Sequence, residues 1–93
     1  MIDDGTSIVR VHDAITAEMG DETVILDNAT GVFIQLNRSA GRIWNLLEVP
    51  QTVPSLCALL VERYDVSTDI CRIEVIAFVQ DMAAKGIVTL GRN

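Results

Sequence analysis

The stretch GVFIQLNRSAGRIWNLL, residues 31–47, joins two periodicities with no loop between them. Residues 31–36 have the β-branched and aromatic content of a strand. From Asn37 the pattern becomes helical. Asn37 suits an N-cap, because its side chain can accept from backbone N–H groups two or three residues on. Ala40, Ile43, Trp44 and Leu47 then fall at i, i+3, i+4 and i+7, one face of an α-helix. A strand that runs straight into a capped helix fixes the direction of both elements. The strand itself is unusual. Val32, Phe33 and Ile34 are consecutive apolar residues, whereas a half-buried strand alternates apolar and polar ones. Either the domain covers both faces of this strand, or one side is left for another molecule.

The residues before it read as strands. SIVRVH (7–12), AITAEM (14–19) and TVILD (23–27) are the candidates. GDE (20–22) turns between the second and third, with Gly20 supplying an unusual backbone angle. NATG (28–31) turns between TVILD and VFIQL, so these two form an antiparallel hairpin. The residues after it read as helices. EVPQ (48–51) ends the first at Pro50. Thr52 caps the second, Pro54 is tolerated in its first turn, and Leu56, Leu59, Leu60 and Tyr64 form its buried face. Ser67 or Thr68 caps the third, which runs to Lys85 and stops at Gly86. IVTL (87–90) returns as a short strand. Strands first and helices after predict an α+β domain, 1–93, with a small antiparallel sheet of three to four strands followed by three helices.

The third helix carries two apolar arcs. At about 100° per residue, Phe78, Cys71, Met82, Val75, Val79, Ala83 and Ile76 fill roughly 160°, interrupted only by Arg72. Ile70, Ile73, Ala77 and Ala84 form a second arc opposite. A surface helix needs a stripe only a little over 100° wide. Either the domain buries this helix on two sides, or part of it is a binding surface.

Composition narrows the functional classes. At 93 residues the chain buries about 60–65% of its unfolded surface, yet 49% of its residues are hydrophobic. That excess fits an intermittently covered surface or a permanent dimer. The formal net charge is −6 and the pI about 4.4, so phosphate backbones and anionic lipid surfaces repel the chain. No apolar run approaches the ~20 residues that span a bilayer. MIDDGTS is no signal peptide, which leaves the cytoplasm as the expected location. Cys57 and Cys71 stand outside any CxxC and read as small buried hydrophobes. With one histidine they complete no zinc set. That histidine, His12, has no nucleophile motif around Ser7, Ser39, Ser55 or Ser67 to work with. The carboxylates scatter through turns, and phosphate-loop, dinucleotide and EF-hand spacings are missing. No catalytic residue, metal ligand or cofactor is expected. Three helices beside a small sheet also suit a winged helix-turn-helix DNA reader. Its recognition helix would carry only Arg72 and Lys85 against Asp69, Glu74 and Asp81, the wrong balance for a DNA groove.

The over-apolar strand and the over-apolar last helix together suggest a groove for β-augmentation, in which an extended peptide adds a strand and its side chains enter apolar pockets. About four ladder hydrogen bonds net about 2–6 kcal/mol, while association costs about 4–15 kcal/mol. Micromolar affinity needs a surplus of about 8 kcal/mol. Two or three buried apolar anchors, at about 1.5–3 kcal/mol each, help close that gap.

LDNATGVFIQLNRSAGRIWNLLE, TVPSLCALLVERYDV and CRIEVIAFVQDMAAKGIV resemble the PqqD-like family, the precursor-peptide recognition elements of ribosomally made, modified peptides (RiPPs). The resemblance spans Ile15 to Val88. It rests on the order and spacing of Leu26-Asp27, Gly31, Leu36-Asn37, Ala40, Ile43-Trp44, Thr52-Val53, Leu56, Leu60, Tyr64, Val75, Phe78 and Gly86. It implies a winged-helix-like fold and non-catalytic binding of a precursor's leader segment, which adds as an antiparallel strand beside the last helix. Carried over by position, the peptide-binding residues are Val32, Phe33, Ile34 and Gln35 of the strand, and Arg72, Val75, Ile76, Val79 and Met82 of the helix. Leu36, Ala40, Ile43 and Trp44 match positions that pack the core. The implied partners are the leader peptide and the enzymes that process it. PqqD proper, which serves a radical-SAM enzyme in pyrroloquinoline quinone assembly, often has an Asp-Gly turn where this chain reads EVPQ. LNRSAGRIW and the stand-alone format look more like the split leader-binding proteins of lasso-peptide pathways, whose partners are a leader peptidase and a cyclase. Monomer and homodimer both remain open.

Overall fold

The computed structural model describes residues 2–11 and 14–92, except the side chain of Arg92. His12 lies outside these residues, and with it the reading of its role. Four strands come first: β1 (Thr6–Arg10), β2 (Ala14–Met19), β3 (Glu22–Asp27) and β4 (Val32–Leu36). Three helices follow, α1 (Arg38–Leu46), α2 (Val53–Arg63) and α3 (Thr68–Ala84), and then a last strand, β5 (Val88–Arg92). The α+β order is the one expected, and the arrangement is winged-helix-like.

The strands divide into two sheets, which the sequence does not predict. β2, β3 and β4 form a three-stranded antiparallel meander. β1 leaves that sheet and pairs with β5, Ile8 opposite Leu90. Its other side is also used, by a bridge in which the Ile8 and Gln51 backbones exchange hydrogen bonds of 2.7 and 3.1 Å. With both edges engaged, β1 has none left for the larger sheet.

Local chemistry sets the turns. Met19 pairs with Glu22 across Gly20-Asp21, and Gly20 has φ 65. Glycine at the first position of a two-residue hairpin gives the reversed twist that matches the flanking strands. In the next turn Asp27 is buried, and its carboxylate accepts from Ala29 N at 3.1 Å and Thr30 Oγ1 at 2.9 Å. A buried carboxylate with two donors is satisfied in place and holds the β3–β4 hairpin closed.

The helix ends follow their caps. Asn37 accepts from Ala40 N at 2.9 Å. Thr52 and Ser55 form a reciprocal capping box. Ser67, rather than Thr68, caps α3. At its far end Gly86 N donates to Ala83 O and Ile87 N to Met82 O, 3.1 and 3.0 Å. These are the two bonds of a Schellman stop, with Gly86 at φ 76 and buried Ile87 and Met82 as its apolar contact.

The core lies between the inner face of the meander and the helices. Ile25, Ile34 and Leu36 supply the sheet side, and Ile43, Trp44, Leu56, Val75 and Val79 the helix side. α1 comes very near β3 at Gly41, where an added Cβ would lie 2.7 Å from Thr23 Oγ1. Trp44 is fully buried and donates from Nε1 to Thr16 Oγ1 at 2.7 Å. The Arg10 guanidinium stacks over the ring, 4.1 Å from its centre, and donates to the Trp44 carbonyl. Burial lowers the pKa of Arg10, opposed by the nearby charge of Glu48. One arginine thus ties the β1–β5 sheet to the end of α1.

Candidate functional site

β4 is one edge of the meander and runs directly into α1. β3 pairs with one side of it, Leu26 opposite Phe33 and Ile25 opposite Ile34. Among the described residues nothing pairs with the other side. Successive side chains of a strand point to opposite faces. Val32, Ile34 and Leu36 therefore share the inner face, where Ile34 and Leu36 are buried and Val32 remains 50% exposed. Phe33 and Gln35 share the outer face, and Phe33 is 71% exposed. The run of apolar residues thus has two causes: the core takes Ile34, and Phe33 is left in solvent. β2 is the other edge, but its inner residues are tied down by α1, Thr16 to Trp44 and Glu18 to Asn45 at 3.4 Å.

The two arcs of α3 have separate fates. The broader one enters the core, with Cys71, Val75, Phe78, Val79 and Met82 buried. The opposite arc stays in solvent, with Ile70 exposed and Ile73 69% exposed. This division bears on the helix residues expected to meet a peptide. Val75, Val79 and Met82 face inward and present no surface. Arg72 is exposed but turns toward α2, pairing with Asp4 at 2.6 Å, a contact that raises its pKa. It lines an open cavity of about 350 Å³ together with Pro54, Cys57, Ala58 and Val61. Ile76, one helical turn on, is half-buried against the core. Both arcs are apolar, so periodicity cannot say which one packs. The core takes the broader arc, which holds Phe78 and most of the apolar residues, and leaves the narrower one, Ile70, Ile73 and two alanines.

A feature missed in the sequence lies on the α1 side of α3. Ser39, Arg42 and Ile43 of α1 face Glu74 and Val75 of α3 across a narrow cavity of about 30 Å³, with Tyr64 at its border. Arg42 stacks over Tyr64 at 3.9 Å. These residues come from three elements, so no linear spacing announces them. The cavity opens beside the N-terminus of α1, directly after β4. Cys71 also borders it, and its thiol pKa is raised to about 11, chiefly by burial and then by Cys57 and Glu74. Such a thiol stays protonated near neutral pH and is a poor nucleophile.

Residues 22–88 match the family model described as Coenzyme PQQ synthesis protein D (PqqD). The chain belongs to the PqqD family. Two solved structures share the fold of this PqqD-family chain. One is TbiB1 in complex with the TbiA(beta) leader peptide, with TM-score 0.77 and 24% identity over 86% of this chain and 93% of that one. The other is lasso peptide synthetase B1 complexed with the leader peptide, with TM-score 0.73 and 22% identity over 88% of this chain and 96% of that one. Curated proteins give no match. Among the described residues no helix of this PqqD-family chain is long and apolar enough to cross a membrane, and no group of three His, Cys, Asp or Glu residues is placed to hold a metal.

Proposed function

We propose that this chain is a non-catalytic module that binds the leader segment of a ribosomally made precursor peptide and presents it to processing enzymes in the cytoplasm. The observation that carries the reading is the open edge of β4, which combines unused backbone groups with exposed Val32 and Phe33. Main-chain hydrogen bonds along such an edge supply affinity, and side-chain contacts supply selectivity. The bound strand lies beside β4 and against α3, with Val32 and the border of Ile34 on its inner side. Val75, Val79 and Met82 act from beneath, by holding α3 in place. Family membership and two leader-bound relatives of the same fold support this reading.

Lasso-peptide biosynthesis is the pathway class we favour, with a leader peptidase and a cyclase as the downstream partners. Both fold relatives carry a leader peptide, and one is a lasso peptide synthetase component. A second reading, service to a radical-SAM enzyme in pyrroloquinoline quinone or related synthesis, is favoured by the description of the family model. A short precursor gene beside a transglutaminase-like peptidase and an asparagine-synthetase-like cyclase decides for the first, and a radical-SAM neighbour for the second. A DNA-binding role fits poorly. Asp69, Glu74 and Asp81 are exposed on α3, while Arg72 and Lys85 are each paired with a carboxylate.

Fluorescence anisotropy with the labelled leader of the neighbouring precursor tests the reading. Saturable binding near 1–10 μM, about 7–8 kcal/mol, is expected. No saturation at several tens of micromolar would refute it.

A further inference from the structure

The outer face of the meander is as apolar as a core face, yet nothing in the described chain covers it. Its side chains stand in ordered rows set by the strand register. Ile15 of β2 lies opposite Leu26 of β3, and Leu26 lies opposite Phe33 of β4. The neighbouring row is Ala17, Val24 and Gln35. Ile15 and Phe33, at the two ends of the first row, are exposed, and Leu26 between them is half-buried. The row thus ends at the open edge with its largest and most exposed member.

We propose that Phe33 selects an apolar residue on the outward side of the bound peptide strand, so that the peptide is read on both faces of the sheet. This inference rests on the strand-addition reading above. A strand added to β4 must place one side chain beside Phe33 on the outer face, because side chains alternate and cross-strand neighbours stand about 4.5–5.5 Å apart. That side chain becomes the fourth member of the row Ile15–Leu26–Phe33. Its neighbours along the peptide point inward, toward Val32, Ile34 and α3. Apolar residues are therefore required at consecutive peptide positions, the same pattern as Val32-Phe33-Ile34 in β4. Two positions away the peptide meets Gln35, which hydrogen-bonds to the exposed carboxylate of Glu22. That position takes a polar or basic residue. The occupant is an extended peptide with an uninterrupted apolar pair or triplet next to a polar residue, which differs from the alternating pattern that an inner-face contact alone would select.

A display library of randomised ten-residue peptides, selected separately on the wild-type chain and on Phe33→Ala, tests this. Phe33 is exposed, so the substitution leaves the core intact, and circular dichroism verifies the fold. Wild-type selection is expected to enrich apolar residues at adjacent positions. One of these enrichments should disappear on Phe33→Ala. Wild-type-selected peptides should bind Phe33→Ala about 3- to 10-fold more weakly, as expected for a lost cross-strand aromatic pair with part of its burial, and Phe33→Leu should recover part of the loss. Enrichment at alternate positions only, with equal affinity for wild type and Phe33→Ala, overturns the role of Phe33 while leaving strand addition standing. A library that yields no wild-type binder overturns the strand-addition reading itself.

Discussion

Gly41→Ala offers a quantitative test of how α1 is seated on the sheet that carries β4. The new Cβ would meet Thr23 Oγ1 at 2.7 Å and Thr23 Cβ at 3.4 Å, and nothing else outside the helix lies within 4 Å. The first distance is well inside van der Waals contact, and Thr23 is itself buried. Overpacking of this kind costs about 1–3 kcal/mol. Alanine also recovers about 0.8–1 kcal/mol of helix propensity relative to glycine. The single substitution should therefore lie between neutral and about 2 kcal/mol destabilising. Thr23→Ala removes Oγ1 and leaves only the 3.4 Å contact. In that background Gly41→Ala should be stabilising, by up to about 1 kcal/mol. Urea titrations of the four chains give a double-mutant cycle with an expected coupling of about 1–3 kcal/mol. A coupling under about 0.5 kcal/mol would show that α1 does not bear on Thr23. The seating of α1, and with it the placement of β4, would then be wrong.

Further outcomes follow from the same geometry. Val79→Asp buries an unpaired carboxylate and should cost more than about 3 kcal/mol, whereas Ile73→Asp should stay within about 0.5 kcal/mol; equal effects in thermal denaturation would reverse the two arcs of α3. Thr16→Val strands the Trp44 indole N–H and should cost about 1–3 kcal/mol by urea titration, and no loss would mean that this bond contributes nothing. The folded pKa of Cys71 is raised to about 11, so its contribution to stability is fully present below the unfolded thiol's pKa, near 9, and is lost as pH rises toward 11. Wild type should lose more stability over that window than Cys71→Ala, and parallel pH profiles would refute the shift.

Much of this fold is legible in the sequence because it is written in local chemistry. Asn37, Thr52 and Ser67 act as caps, Gly20 and Gly31 take the turn positions with positive φ, and Gly86 stops α3, each at the place its residue type dictates. The open strand 32–36 is equally legible, since three consecutive apolar residues conflict with a one-sided strand. What was not legible depends on tertiary choice. β1 pairs with β5, about eighty residues away in sequence, and β-propensity carries no information about which partner wins. The side of α3 that packs is undecided by periodicity when both sides are apolar, so the burial of Val75, Val79 and Met82 has no signal in the sequence. The cavity between Arg42, Tyr64 and Glu74 draws on three helix segments and has no linear signature.

Amide hydrogen exchange of the chain with and without the neighbouring precursor's leader peptide bears most directly on the central claim. Strand addition at β4 predicts new protection within residues 32–36, with no matching change in β2, residues 14–19. Saturable binding that leaves 32–36 unprotected, or that protects β2 instead, would contradict it.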